Sequence, residues 1–204
     1  LQNVAAFIRV RPEDRSDVAV SIVNPGALPA PNLRRSGRRL VIDGRLRGQI
    51  RACTVRGVAD LEVQTARQGR VTGAQLPIIE LRVPEDAVLT VSGAVRLHMS
   101  TAETLELRID GCGDADVERV RDTAEVAVAG HADMRIHDSG ELEALVAGDG
   151  SITAGIVRDG LTVSIAGPGN FSASRADGAT NVVVQGPGHA LIRAGRAEDV
   201  TVVV

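Results

Sequence analysis

Apolar and polar residues alternate along the chain from Ala87 to Ile192, and a column of glycines divides this alternation into equal units. These glycines follow one another at steps of 18, 19, 18, 19 and 19 residues, and they are Gly93, Gly111, Gly130, Gly148, Gly167 and Gly186. The residues two, four and six positions before each glycine, and four and six positions after it, are all apolar except Thr180. Alternation with a period of two predicts strands that have one buried and one exposed face.

The constant length of the unit predicts how these strands assemble. A repeat of about 19 residues stacks successive coils into parallel ladders around a shared core. The predicted fold is therefore all-β, a single-stranded parallel β-helix or β-solenoid. A right-handed coil is favoured because parallel crossovers favour that hand. The left-handed coil stays open, since about 18 residues is also the length of three hexapeptide repeats.

The glycine column is expected to mark the corners of the coil. A chain that leaves one sheet for the next turns sharply, and glycine reaches positive φ without a clash at Cβ. The Gly-x-Gly sequences at several corners do not open a helix, so the turn interpretation is favoured over a phosphate-binding loop.

The repeat is not visible before residue 83. Short apolar runs such as Phe7–Val10 and Val18–Val23 predict strands there, and the segment Pro29-Ala-Pro31 predicts a loop. We divide the chain into a β-rich N-terminal section, residues 1–82, that is continuous with the solenoid, and the solenoid repeats, residues 83–204. The apolar strands of the first section are expected to cover the first rung, which would otherwise be an open sheet edge.

Composition changes this picture little. The only aromatic residues are two phenylalanines, as expected for thin coils that have little room for large rings. There is no run of 18 apolar residues, so no transmembrane segment is predicted. The sequence opens at Leu1 without a methionine, from which we expect that an upstream segment, such as a signal peptide, has been removed.

The two cysteines, Cys53 and Cys112, are a candidate disulfide pair in an oxidising compartment. The alternative is two unpaired thiols, one packed and one in a turn. No Cys-x-x-Cys and no Cys/His spacing indicates zinc. Glu106, Glu125 and Glu143 form an acidic column in which calcium is conceivable, but a solvated row is favoured because no calcium-binding repeat is present. No metal and no cofactor are predicted.

Charge is unevenly distributed, since residues 1–60 contain 11 arginines against five acidic residues and residues 61–204 contain 12 against 21. The dense basic segment gives the candidate ligand-binding residues, which are Arg34, Arg35, Arg38, Arg39, Arg45 and Arg47. An anionic glycan or an envelope protein would suit this segment. The alternative is a solvated face, or internal pairing with the acidic coil. Nucleic acid is not predicted, because the net charge is −3 and no aromatic platform accompanies the arginines.

Chemistry in a coil would lie in columns of outward-pointing side chains. His98, Asp116 and Arg135 form one such column, and a second holds triad residue types in the wrong order: Ser100, Glu118 and His137. Asp114, Asp116, Asp133 and Glu118 come nearest to the clustered carboxylates of a polysaccharide-active β-helix enzyme. Sugar clefts also tend to use aromatic platforms, and the sequence offers none there. No catalytic residue and no enzyme are predicted.

The segment Val200-Thr-Val-Val-Val204 predicts an apolar terminal strand. Exposed terminal coils recruit partners, so the coil is expected either to continue beyond Val204 or to stack on a second copy, giving a homo-oligomer through terminal coils. A molecular mass that is monomeric at all concentrations would count against the second alternative.

Three of the corners carry a resemblance to a known family: Asp110-Gly-Cys-Gly-Asp-Ala-Asp116, Ala147-Gly-Asp-Gly-Ser-Ile-Thr153 and Ala166-Gly-Pro-Gly-Asn-Phe-Ser172. They resemble the Gly-Ser-Gly-Asp rungs of the bacterial DUF2807 family, the auto-transporter adhesin head GIN domain. The resemblance extends over most of the chain, including the entry Leu81-Arg-Val-Pro84. The chain departs from it where cysteine, histidine, aspartate or proline replaces the serine, and only Asp114 keeps the trailing aspartate among the Gly-x-Gly rungs.

This resemblance implies a β-solenoid with a secreted or envelope location and a role in adhesion. It brings no catalytic residues to carry over. We therefore predict an exported, non-enzymatic interaction module of the bacterial envelope or surface, which is periplasmic, outer-membrane-associated or extracellular. The alternatives are a polysaccharide-active β-helix enzyme and a structural subunit that assembles by end-to-end stacking.

Overall fold

The computed structural model describes residues 1–24, 26–37, 39–56 and 60–203. It is an all-β structure with 78% strand and 1% helix. Among the described residues, no helix has the length and apolar character needed to cross a membrane. The strands are β1 (Val4–Glu13), β2 (Ala19–Asn24), β3 (Asn32–Ser36), β4 (Arg39–Asp43), β5 (Ile50–Arg56), β6 (Asp60–Thr65), β7 (Gly69–Thr72), β8 (Ile78–Pro84), β9 (Asp86–Ala102), β10 (Thr104–Val146), β11 (Ser151–Ile165), β12 (Asn170–Val184), β13 (His189–Ile192) and β14 (Gly195–Val203), and a 3₁₀ turn covers Gly73–Gln75.

Parallel stacking of coils confirms the predicted β-solenoid, with about six turns at a spacing of roughly 19 residues. Leu107 of β10 lies beside Leu89 of β9, and Val163 of β11 lies beside Val182 of β12. Each pair is separated by the length of one coil. The strands continue through the corners, so β10, with 43 residues, is longer than two coils.

The core lies inside the coil, where the predicted apolar columns meet. Every position of those five columns is buried except Ala190 and Ile192 in the last coil. The structure has a further inner column that was not predicted from the sequence, nine residues after each of the first five glycines: Ala102, Val120, Ser139, Val157 and Ala176. This column adds a further row of buried side chains to the core. Ser139 Oγ in this row is buried and has no hydrogen-bond partner among the described residues.

The glycine column stacks backbone against backbone at the corner of each coil. A Cβ atom on Gly111 would collide with the carbonyl oxygen of Gly93, and one on Gly130 would collide with that of Gly111. The expected positive φ is present at Gly111, where φ is 143°. It is absent at Gly148 and Gly167, so the prediction that backbone conformation selects the glycine was wrong at these two corners. Gly148 and Gly167 nevertheless lie close to the backbone of the preceding coil, as Gly111 and Gly130 do.

The N-terminal strand forms the first rung of the solenoid. β1 pairs in parallel with β9 on one side and with β8 on the other, and β2 then pairs antiparallel with β8. The apolar strands of the N-terminal section therefore cover the first coil, as expected. β8 crosses the division between residues 82 and 83, and the boundary itself stays a prediction.

Two smaller sheets stand beside the coil. β3 and β4 form a hairpin, and β5, β6 and β7 form a three-stranded antiparallel sheet that we call the wall. A second apolar cluster includes Leu61, Val63 and Val71 from the wall, together with Ala5 of β1 and Ala94 of β9. The wall thus packs on the outer surface of the first coils.

The last strand is exposed along its whole length. β14 pairs with β12, and the exposed fractions of Val200, Val202 and Val203 are 57%, 59% and 53%. Self-association through this coil stays a prediction.

Gly111→Ala is expected to destabilise the protein by about 2–4 kcal/mol, because the new Cβ meets a backbone carbonyl and the φ of Gly111 disfavours any side chain. The matched control is Gly160→Ala, whose Cβ would lie 3.7 Å from the Ala179 oxygen and 3.9 Å from Glu141 Cγ, at ordinary contact distances. We expect the control to stay within about 1 kcal/mol of wild type. Urea unfolding measures both, and equal losses in the two variants would contradict the close stacking.

Candidate functional site

A groove of about 980 Å³ lies between the wall and the outer surface of the solenoid. Its floor is made by outward-pointing residues of β1, β9, β10 and β11. Val55 of the wall, together with Gly73 and Leu76 at the 3₁₀ turn, forms the opposite side. Phe7 and Ile78 line the end nearest the N-terminal section.

Strand alternation and coil stacking place the polar floor residues in a regular grid. Outward side chains two residues apart on one strand are separated by about 6.6 Å, and neighbouring coils are about 4.8 Å apart. Register pairing aligns the floor in two columns, one with Phe7, Arg96, Asp114, Asp133 and Ser151, the other with Arg9, His98, Asp116, Arg135 and Thr153.

Two ion pairs connect neighbouring coils of this grid. Arg96 Nη2 lies 3.0 Å from Asp114 Oδ2, and their side chains are only 18% and 23% exposed. Arg135 Nη1 lies 3.9 Å from Asp116 Oδ2, which makes the second pair looser and more exposed. The Ser151 hydroxyl donates a hydrogen bond of 2.6 Å to Asp133. The carboxylates of the floor are thus held by cations or hydroxyls of neighbouring coils.

Asp114 is the most constrained carboxylate of the groove. Its Oδ1 atom is buried and accepts no hydrogen bond from the described residues. Burial raises the pKa of this carboxyl, the Arg96 guanidinium opposes the rise, and the charges of Asp116 and Asp133 add to it. Oδ1 is therefore not exposed to the groove, and the contact with Arg96 is made by Oδ2.

The histidines beside the groove contact Asp116 from both sides. His98 Nδ1 lies 3.7 Å from Asp116, and His137 Nε2 lies 3.2 Å from it. Glu118 contacts His98 at 3.5 Å. The predicted column of His98, Asp116 and Arg135 is therefore a set of real contacts. In the column of Ser100, Glu118 and His137, by contrast, the histidine bonds diagonally to Asp116.

The structure brings Asp114, Asp116 and Asp133 together on the groove floor, as their spacing suggested. Arg96, Ser151 and Thr153 also lie on the groove floor and were not predicted from the sequence, although the alternation of their strands already points them outward. The expectation that no aromatic residue lies near a sugar-like cleft was wrong, because Phe7 lines the groove. Its position depends on the pairing of β1 with β9, which no repeat in the sequence indicates.

The acidic column of Glu106, Glu125 and Glu143 lies outside the groove lining. Glu106 forms a salt bridge of 3.3 Å with Arg108. Across the described ranges of the chain, no group of three histidine, cysteine, aspartate or glutamate side chains is placed to hold a metal ion.

Cys53 of β5 and Cys112 of β10 form a disulfide, which confirms the predicted pairing. Their Cα atoms are 6.2 Å apart, within the usual range for such bonds. The bond closes a loop across a sequence separation of 59 residues, for which the chain-entropy model gives a stabilisation of about 4 kcal/mol. It fastens the wall to the coil and so fixes one side of the groove.

The arginine-rich segment lies apart from the groove lining. Arg34 and Arg39 are exposed on one face of the β3–β4 hairpin, where Arg34 pairs with Val41 and Arg39 with Ser36. Arg35 is on the other face and donates a hydrogen bond of 2.6 Å to the Val18 carbonyl.

Arg45 and Arg47 are exposed in the segment after β4, and Arg38 lies outside the described residues. In the described part of the chain, no carboxylate lies within salt-bridge distance of Arg34, Arg39, Arg45 or Arg47. Internal pairing with the acidic coil therefore does not occupy these four guanidinium groups. Their role in binding stays a prediction.

The raised pKa of Asp114 predicts a specific pH dependence of stability. Protonation of this carboxyl favours folding, a contribution that is complete below the unfolded pKa of about 3.9 and is lost as the pH rises through the folded pKa. Asp114→Asn removes that loss. The free energy of unfolding of the variant, minus that of wild type, is therefore expected to increase as the pH rises from about 3.9.

Denaturant unfolding at a series of pH values measures this difference. The exposed Asp159→Asn serves as the control for a change in net charge alone. A difference between Asp114→Asn and wild type that decreases with rising pH would contradict the assigned effect of burial.

Comparison with known proteins identifies the family of this chain. The family model DUF2807, described as "Putative auto-transporter adhesin, head GIN domain", matches residues 35–155, which is more than half of the chain. A search of curated proteins and a search of solved structures each found no match. The matched range includes the wall, the disulfide and most of the groove floor. The chain belongs to the DUF2807 family.

Proposed function

We propose that this protein is an exported, non-enzymatic interaction module of the bacterial envelope or surface, and that it binds its partner in the groove between wall and coil. The observation that carries the proposal is the groove itself. Its floor is a rigid sheet face with a fixed grid of polar groups, and a disulfide holds its opposite side in place. Such preorganisation lowers the cost of binding, because few groups need to be ordered on association.

Family membership and the disulfide both suggest an extracellular or envelope location. The family name suggests an adhesin-like role and supports adhesion as the biological use of the groove. We place the protein in the periplasm, at the outer membrane or outside the cell.

A polysaccharide-active enzyme is the second candidate, and one observation favours it. Asp114, whose pKa is raised, shares the groove with the further carboxylates Asp116 and Asp133, and glycoside hydrolysis uses such a pair. Against this role, Asp114 is tied to Arg96 and Asp133 to Ser151. We therefore favour binding without cleavage.

Thr153→Arg is expected to weaken binding to isolated envelope fragments of the source bacterium by at least about 10-fold, because the longer side chain blocks one end of the groove and adds a charge there. The matched control is Thr162→Arg, which introduces the same residue on β11 at an exposed position outside the groove lining. It is expected to bind as wild type. Sedimentation of labelled protein with the fragments measures both.

Equal binding by Thr153→Arg and wild type would refute the groove as the interaction surface. The fragments are expected to gain no new reducing ends during incubation. New reducing ends that depend on Asp114 would instead identify the enzyme.

We further propose that the arginine-rich hairpin contacts an anionic glycan of the envelope. Arg34 and Arg39 support this, since they share an exposed face and neither lies within salt-bridge distance of a carboxylate among the described residues, although Asp43 is on the same face and the charge of Arg34 helps to lower its pKa. Electrostatic attraction of this kind is screened by salt.

The double variant Arg34→Gln/Arg39→Gln is expected to elute from a heparin column at a lower salt concentration than wild type. The control Arg67→Gln/Arg193→Gln removes the same charge from exposed positions elsewhere and should shift elution less. If both variants elute together, net charge alone accounts for retention, and the hairpin has no special role.

A further inference from the structure

The charges of the groove disfavour an acidic ligand. The lining contains three carboxylates, those of Asp114, Asp116 and Asp133, three guanidinium groups, those of Arg9, Arg96 and Arg135, and the imidazole of His98. Each guanidinium group already faces a carboxylate: Arg9 lies 3.3 Å from Glu80, Arg96 lies 3.0 Å from Asp114, and Arg135 lies 3.9 Å from Asp116. A carboxylate, sulfate or phosphate on the ligand would therefore meet like charge without a free cation to offset it.

The backbone of the floor disfavours a peptide strand. Extended peptides bind sheets by adding to an exposed edge, where backbone N–H and C=O groups are free. Here the floor is the face of a continuous sheet, and β9, β10 and β11 use their backbone groups in ladders with one another. A peptide could therefore not extend the sheet at the floor and would contact side chains only.

The side chains of the floor match the chemistry of sugar hydroxyls. Carboxylate oxygens accept hydrogen bonds, guanidinium groups donate them, and the hydroxyls of Ser151 and Thr153 do both. Phe7 and Val55 supply an apolar side for the C–H faces of sugar rings. The Asp114 side chain is 23% exposed and adds a carboxylate to the floor.

The groove is also longer than one ring. Its lining begins at Ile78 on β8, passes through β1, β9 and both coils of β10, and ends at Ser151 and Thr153 on β11. Five steps between neighbouring coils span about 24 Å. The repeated polar groups along this length suit a chain of several residues.

We propose that the groove binds a glycan chain that carries no acidic groups, neutral or amino-substituted, and that the Asp114 carboxylate accepts a hydrogen bond from a hydroxyl or amino group of the bound sugar. This inference rests on the groove being the interaction surface. The groove then binds a ligand without acidic groups, and the arginine-rich hairpin binds an anionic one.

The test uses the disulfide-bonded chain with three defined probes. These are oligomers of N-acetylglucosamine, which are neutral, oligomers of glucosamine, which carry amino groups, and oligogalacturonates, which are acidic. Titration calorimetry is expected to give saturable binding with at least one of the two non-acidic probes and weaker or no binding with the acidic one. Acidic oligomers that bind as tightly as the others, or non-acidic oligomers that do not bind at all, would overturn the proposal.

Asp114→Asn tests the role of this carboxylate. Asparagine keeps an acceptor oxygen but loses the negative charge, and hydrogen bonds to charged groups are stronger than neutral ones, so the variant should bind roughly 10-fold more weakly. The matched control Asp159→Asn, at an exposed position outside the groove lining, should bind as wild type. Unchanged binding by Asp114→Asn would refute the role of Asp114.

The two proposals fail in distinguishable ways. If no oligosaccharide binds while Thr153→Arg still abolishes binding to envelope fragments, the glycan inference is wrong and the groove remains the interaction surface. If Thr153→Arg leaves binding to the fragments unchanged, the groove proposal itself is wrong. Oligosaccharide binding that Thr153→Arg reduces and Thr162→Arg does not would support both.

Discussion

The close stacking of backbone at the glycine corners is the constraint on which the rest of this structure depends. At Gly93, Gly111 and Gly130 each coil approaches the next so closely that no Cβ fits between them. This contact keeps successive coils in register and repeats every 18 or 19 residues. Because the register is fixed, the inner columns meet in one apolar core, and the outer columns form ladders of polar side chains.

The candidate site follows from this register together with one added element. Stacked coils alone would present a flat polar face. The wall, held by the second apolar cluster and by the Cys53–Cys112 bond, turns part of that face into a groove. Desolvation by burial is the main cause of the raised pKa of Asp114 on the groove floor. The coil supplies the grid of polar side chains, and the wall supplies the opposite side of the groove.

The sequence predicted the parts that repeat and missed most of the parts that do not. The columns of apolar residues were readable because six units reinforce one another, and so were the contacts of His98, Asp116 and Arg135 within one outer column. The position of Phe7 was not readable, because it depends on β1 entering between β8 and β9 across a long sequence separation. The inner column that includes Ser139 was missed for a different reason, since its mixed residue types weaken the alternation there.

The central claim is that the coil supports itself, whereas the wall is held to it by side-chain packing and the disulfide. Hydrogen–deuterium exchange of the oxidised and the reduced protein tests this claim most directly. If the account is correct, reduction of the disulfide accelerates exchange in β5, β6 and β7, while the amides of Thr104–Val146 keep their protection apart from those next to Cys112. The wall is joined to the coil by side-chain packing and the disulfide, whereas each coil is joined to its neighbours by continuous ladders. Equal loss of protection in the wall and in the coil would contradict it.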